Sequence, residues 1–352
     1  MASYEPARAS QNLTDYSVLH LDRVRAAIAP EDNVLTEARE RRNTVTKSAR
    51  SFYGGLRTFN SGSLAHGNVN NPVSDADCGF VLDRRSYLEL GPDGDGLGPN
   101  EIMREVAEFV MRRVREAYPY ATHTLTKRAI LIEFNEPIDD EDPSVDLIVA
   151  LTRQEQPGLW IPNRERDSWD ASDPEKHTEL LLGPTRSLRV HRARVIRLAK
   201  AAIKEGGNPV ISSFNVEALA LLYVQETGEV SDGLRDLFVY GAADLARRLT
   251  PDPAGVSKPI KLLAPHDQVV RRMQFLAGKL NDAVEHRYDE ERVREALAAV
   301  FPSYITPPAT SSKLALISSV REGGGSAAAT TFGLGTGLKP VRSSGGGDVP
   351  TA

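Results

Sequence analysis

After Asn100, apolar residues recur at Ile102, Val106, Phe109, Val110 and Val114, a three-to-four spacing that predicts a helix with one buried face. Two helices are expected before it. One runs from about Asp15 to Ile28. The second opens at Pro30-Glu31-Asp32, where acidic residues suit a helix N-terminus, and runs to about Phe52. Between these helical stretches the pattern changes. Cys78-Gly79-Phe80-Val81-Leu82, Ala129 to Phe134 and Ser144 to Ala150 are short apolar runs, which predict strands. Gly91 to Asn100, rich in Gly, Pro and Asp, reads as a surface loop. Asp139-Asp140-Glu141-Asp142 reads as a solvated hairpin loop, since it lacks the glycine of a calcium loop.

From Pro184 the chain turns helical, with helices expected over 185–204 and near 213–226, 232–249, 265–286 and 290–300, interrupted by a turn at Asp252-Pro253-Ala254-Gly255. From Ser311 onward Gly, Ala, Ser and Thr dominate, a composition that cannot bury enough apolar surface to order a chain. An α+β core is expected over residues 1–160, a helical domain over 161–310 and a flexible tail over 311–352.

Composition narrows the function classes. The chain has 352 residues, 40% of them hydrophobic, enough for about two domains with sizeable cores. A net charge of −5 argues against a sequence-independent duplex binder. Cys78 is the only cysteine, so no intrachain disulfide and no cysteine-rich zinc module can form, and it is expected to be a buried strand residue. With no run of 18 apolar residues and no leader pattern, a soluble cytoplasmic protein without a membrane partner is expected.

Chemistry concentrates in two segments. Gly62-Ser63-Leu64-Ala65-His66-Gly67-Asn68 contains a Gly-Ser turn able to hold a triphosphate through backbone N–H groups and one hydroxyl. It is followed by Ser74-Asp75-Ala76-Asp77, in which the two aspartates, spaced i and i+2 on a strand, share one side of a sheet. Mg²⁺, or Mn²⁺ in its place, is usually held by one or two carboxylates plus substrate phosphates. Two-metal sites need a further carboxylate. Asp146, alone among Val145, Leu147 and Ile148, is costly to bury unless it is paired or binds metal. By itself it reads as a strand cap or a solvent-facing residue. Beside the upstream motif it reads as the third ligand.

The run Gly62-Ser63, Ser74-Asp75-Ala76-Asp77 and Val145-Asp146-Leu147 resembles the DNA polymerase β-like nucleotidyltransferases. Arg197-Leu198-Ala199-Lys200-Ala201-Ala202 is similar to the helix of the oligoadenylate synthase and cyclic GMP-AMP synthase group whose lysine contacts triphosphate. Ser212-Ser213-Phe214-Asn215-Val216-Glu217 resembles that group's segment in which a serine meets phosphate and an aromatic ring stacks on a base. Leu159-Trp160-Ile161-Pro162 and Ser172 to His177 resemble linker elements of the bacterial members, the CD-NTases of antiphage signalling. Asn68 replaces the usual threonine and Phe214 the usual tyrosine.

The resemblance implies a polymerase β-like nucleotidyltransferase palm with a C-terminal helical domain and the active site in the cleft between them. Asp75, Asp77 and Asp146 would be the catalytic metal ligands. Gly62 and Ser63 would clamp phosphates, Lys200 and Ser213 would add charge and a hydrogen bond, and Phe214 would stack on a base. Rotation along 185–204 groups Arg186, Arg189, Arg197, Lys200 and Lys204 within roughly 100°, with Leu188, Val195, Leu198 and Ala202 opposite. Because the lysine motif falls in this basic stripe, the stripe is expected to face the cleft. The implied substrates are nucleoside triphosphates, ATP among them, and the implied product is a cyclic di- or trinucleotide. Two alternatives stay open: nucleotidyl transfer to tRNA, protein or a small molecule, and a catalytically inactive nucleotide-binding module. Activation by duplex DNA through a zinc module is not expected. The tail, ending in Ala352, fits conjugation by a ubiquitin-like ligase partner and equally a passive end.

Overall fold

The computed structural model describes residues 13–309 except Leu97 and Glu155. The two long helices near the start, α1 (Tyr16–Ala27) and α2 (Asp32–Arg50), lie close to the expected bounds. Asp15 caps α1 by accepting the backbone N–H groups of Ser17 and Val18. Then come β1 (Gly55–Asn60), the short α3 (Gly62–His66), β2 (Asp75–Leu82) and α4 (Pro99–Ala117). Helix α4 starts at Pro99, a residue that suits the first helical position, and the Glu101 carboxylate accepts the Gly98 N–H at 3.3 Å.

Strands β3 (Thr122–Leu125), β4 (Ile130–Glu133), β5 (Ser144–Thr152), β6 (Leu159–Asn163) and β7 (Ser168–Ser172) complete one sheet with order β1-β2-β5-β4-β3; β6 pairs with the end of β5 and with β7. The central pair, β2 and β5, is parallel, and its register runs from Asp75–Ser144 to Leu82–Leu151. Alternation then sorts the side chains. Ala76, Cys78, Phe80 and Leu82, with Val145, Leu147, Val149 and Leu151, join the buried cluster under α2 and α4. On the opposite face Val81 and Ala150 pack with Phe59, Leu159 and Ile161, and the aspartates lie at the β2 and β5 starts.

The acidic loop before β5 does more than face water. Glu141 Oε2 accepts the Val73 N–H at 2.6 Å, and Asp142 pairs with Arg41, which is 1% exposed. Arg41 also donates to Pro143 O at 2.9 Å and to Glu37 at 2.8 Å, so its buried charge is surrounded by acceptors and staples the loop to α2.

After β7 the described chain is helical: α5 (Pro174–Leu182), α6 (Arg186–Lys204), α7 (Ser213–Tyr223), α8 (Val230–Leu245), α9 (His266–Glu285) and α10 (Glu290–Val300). These helices bury a second cluster that includes Val195, Leu219, Leu237, Met273 and Leu297. Although first in the sequence, α1 packs here: Leu21, Val24 and Ile28 belong to this helical cluster. Residues 13–308 lie within one compact unit by their contacts. The tail from Ser311 lies outside the described residues. No helix among the described residues is long and apolar enough to cross a membrane.

Candidate active site

Asp75 and Asp77 are the first and third residues of β2, and Asp146 is the third residue of β5. The parallel register sets Asp77 directly beside Asp146. One oxygen from each of the three carboxylates lies within 4.8 Å of the others. Burial, then the neighbouring Asp75 and Asp146 charges, push the Asp77 carboxyl up to about 7. Burial and Asp75 likewise raise Asp146 to about 6. Asp146 Oδ1 is buried and accepts no hydrogen bond among the described residues. An all-oxygen cluster that resists sharing its negative charge and leaves an acceptor unsatisfied fits a hard divalent cation such as Mg²⁺ or Mn²⁺.

The turn before α3 is built against this cluster. Gly62 has φ +71°, and a Cβ there would lie 1.7 Å from Asp77 Oδ2. Only glycine permits both the left-handed backbone and this approach. Ser61 N–H donates to Asp77 O at 3.1 Å, which joins the turn to β2. A cleft of about 430 Å³ opens here, bordered by Gly62, Ser63, Asp75, Asp77, Ser213 and Phe214. Lys200 borders it too, and Asp146 joins through the carboxylate cluster. The residues singled out in the sequence are thus brought together on one cleft.

Lys200 borders the cleft as a buried, paired cation. It is 7% exposed, and Nζ donates to Asn68 Oδ1 at 2.7 Å and to Glu217 Oε1 at 3.0 Å. Burial alone would raise the Glu217 carboxyl. The Lys200 charge and the nearby His66 outweigh burial and hold it down to about 2. His66 Nδ1 is 3.3 Å from Glu217 Oε2, and His66 Nε2 is 3.0 Å from Thr178 Oγ1 on α5. The cleft floor is therefore a buried Asn68–Lys200–Glu217–His66 network that ties α3, α6 and α7 together.

The basic stripe of α6 does not act as one surface. Lys200 and Lys204 border the cleft, and Lys204 is the exposed one. Arg197 instead donates to Asn70 Oδ1 at 3.0 Å and Ile28 O at 2.9 Å, holding the loop before β2. Arg186 borders a separate depression with His191 and Arg194. The helix packs on several sides at once, so angular position alone does not decide exposure. Leu188, Val195, Leu198 and Ala202 are buried as expected.

Of the two serines, Ser212 caps α7 by accepting the Asn215 N–H at 3.1 Å, which leaves Ser213 at the cleft. The half-buried Phe214 ring lies 4.8 Å from the His177 ring, tilted by 47°. His66, Glu217 and His177 also border the cleft and were not singled out as site residues, while Lys204 borders it as a member of the basic stripe. Glu217 had a readable signal, the same as Asp146: one acid inside an apolar run. His177 had none, since its partner Asp252 lies 75 positions away.

No family model matches the sequence, and no curated protein matches it. Solved structures do. CdnC of Escherichia coli MS115-1, solved in complex with HORMA-deltaN, superposes with TM-score 0.59 at 15% identity over 85% of this chain and 100% of that one. The Bradyrhizobium diazoefficiens CD-NTase CdnG in complex with GTP gives 0.58 at 14% identity over 80% and 94%. The Vibrio cholerae cyclic AMP-GMP synthase DncV gives 0.54 at 12% identity over 84% and 87%. The chain has the α+β fold of the bacterial CD-NTases.

Proposed function

We propose that this chain is a divalent-metal-dependent nucleotidyltransferase that joins nucleoside triphosphates into a cyclic di- or trinucleotide messenger. The carrying observation is the convergence of Asp75, Asp77 and Asp146 on one cleft, with Gly62 packed onto Asp77. The likeness to DncV, a cyclic AMP-GMP synthase, supports the cyclic product.

In this reading Asp75, Asp77 and Asp146 hold Mg²⁺ or Mn²⁺. Charge neutralisation at the triphosphate and activation of the attacking ribose hydroxyl are what the bound metal supplies. The chain's own groups bind and orient. Gly62 lets the turn lie against Asp77, so the backbone and the Ser63 hydroxyl face the β/γ phosphates. Ser213 adds a hydrogen bond. Lys200 contributes positive charge from the cleft floor while anchored to Glu217, and the exposed Lys204 is an added phosphate cation. Phe214 provides the stacking face. The 2′- or 3′-hydroxyl of one nucleotide gives up its proton, with Asp146 or water as the acceptor, and its oxygen bonds to the α-phosphorus of the next; the bond from that phosphorus to the bridging oxygen breaks, and pyrophosphate leaves. A second such transfer closes a dinucleotide ring, and a third closes a trinucleotide ring. A cytoplasmic setting and a role in antiphage defence accompany this reading, as does conjugation of the tail to a target by a ubiquitin-like ligase.

The test is incubation with pairs of labelled nucleoside triphosphates and Mg²⁺ or Mn²⁺, followed by phosphatase and chromatography. A small phosphatase-resistant product is expected. Label on tRNA, protein or a non-nucleotide small molecule would select the alternative transferase reading. Nucleotide binding without turnover would select an inactive module.

A further inference from the structure

His177 and Asp252 form a buried pair on the side of the cleft that carries Phe214. Asp252 lies in the turn beyond α8, with its side chain 1% exposed. Its Oδ2 accepts the backbone N–H groups of Val256 at 2.9 Å and Ser257 at 2.7 Å. Its Oδ1 lies 2.6 Å from His177 Nε2. Burial alone would raise this carboxyl, but the Ser257 N–H and His177 hold it below the usual carboxylate range. An ionised carboxylate can only accept hydrogen bonds, so Nε2 carries the proton. In the neutral ring Nδ1 is then an acceptor. Among the described residues Nδ1 makes no hydrogen bond, and it is not among the fully buried unpaired atoms. The ring touches Phe214, and both residues border the cleft.

We infer that Asp252 is a positioning residue that locks His177 as a hydrogen-bond acceptor at the edge of the base stacked on Phe214, so that the site selects a purine presenting an amino donor. The inference rests on the nucleotide reading of the cleft. The pair joins α5 to a turn far along the chain, and its effect is to fix one ring at the nucleotide platform. One hydrogen bond of this kind corresponds to a preference of about five- to tenfold.

The probe is inosine triphosphate, which lacks both the 6-amino group of ATP and the 2-amino group of GTP. Dissociation constants are measured by calorimetry for ATP, GTP and inosine triphosphate, with Ca²⁺ replacing Mg²⁺ to hold off turnover. Wild type should bind at least one amino-bearing purine triphosphate about five- to tenfold more tightly than inosine triphosphate. His177→Phe keeps a ring against Phe214 but has no acceptor, and should lose that preference. In Asp252→Asn, the Asn oxygen keeps the Val256 and Ser257 N–H groups and its NH₂ faces Nε2. The proton then moves to Nδ1, and the preference should shift towards inosine triphosphate. Thermal melts confirm that each variant is folded. Equal binding of all three nucleotides by wild type overturns the inference and leaves the nucleotide reading intact, as does a preference that survives in both folded variants. No triphosphate binding at all would overturn the nucleotide reading itself.

Discussion

Asp77 on β2 and Asp146 on β5 are direct register partners in a parallel strand pair, so two carboxylates face each other with a third, Asp75, close by. Backbone pairing on both sides holds these strands in place. The repulsion cannot be relieved by a register slip, since a one-residue shift would turn each strand's buried face outward. Without a cation the fold carries that repulsion, and protonation is the remaining relief.

A pH-dependent stability follows. The Asp77 carboxyl is raised to about 7 and Asp146 to about 6, both above the unfolded value of 3.8. The folded state therefore binds these protons more tightly than the unfolded chain. That contribution is fully present below about pH 4 and is lost as pH rises through about 6 and 7. Asp77→Asn removes one such group. In EDTA the variant should melt higher than wild type at pH 8, by on the order of 5 °C, with the gap narrowing at pH 5. Saturating Mg²⁺ should raise the wild-type melting temperature more than that of the variant. A gap that does not vary with pH would contradict the repulsion described here.

Gly62 and Gly67 offer a matched comparison. Both have φ near +70°, yet a Cβ at Gly62 meets Asp77 Oδ2 at 1.7 Å while a Cβ at Gly67 meets nothing within 4 Å. Alanine should cost each a similar backbone strain, roughly 1–2 kcal/mol. Only Gly62→Ala should also displace the metal-binding carboxylate and lower metal-dependent turnover by about a hundredfold or more. Equal activity in the two variants would sink the role assigned to this turn.

Lys200 and Glu217 form a buried ion pair, each side chain 7% exposed. Lys200→Met or Glu217→Gln alone should destabilise by roughly 3–5 kcal/mol, because a buried charge loses its partner. The double replacement Lys200→Met with Glu217→Leu should recover a large part of that loss. Lys204→Ala should change stability by about 0.5 kcal/mol or less while raising the triphosphate KM. Denaturant melts and steady-state kinetics on the four proteins separate these effects, and single costs below about 1 kcal/mol would show that the pair is not sealed from water.

Much of this architecture was legible because its signals are local. The helical stripe of α4, the apolar run of β5 and the spacing of Asp75 and Asp77 each declare themselves within a few residues. Asp146 was legible because an acid inside an apolar strand needs a reason to be there. What stayed hidden depends on contacts between distant segments. Strand β3 is four residues long, and its pattern is too short to stand apart from its surroundings. Arg197 and Lys200 look alike on a helical projection, yet one clamps the loop before β2 and the other closes a buried network, because different elements pack over each. The acidic loop looked solvated because its partner Arg41 lies 101 positions from Asp142.

The most direct test of the central claim is turnover by Asp75→Asn/Asp77→Asn against wild type, using labelled nucleoside triphosphates with Mg²⁺ or Mn²⁺ and both proteins shown to be folded by thermal melting. The predicted result is a phosphatase-resistant nucleotide product and released pyrophosphate from wild type, and neither from the double variant, whose metal-free fold is at least as stable. Product formation by the double variant at a rate near wild type would contradict the assignment of these carboxylates as the metal-binding catalytic centre.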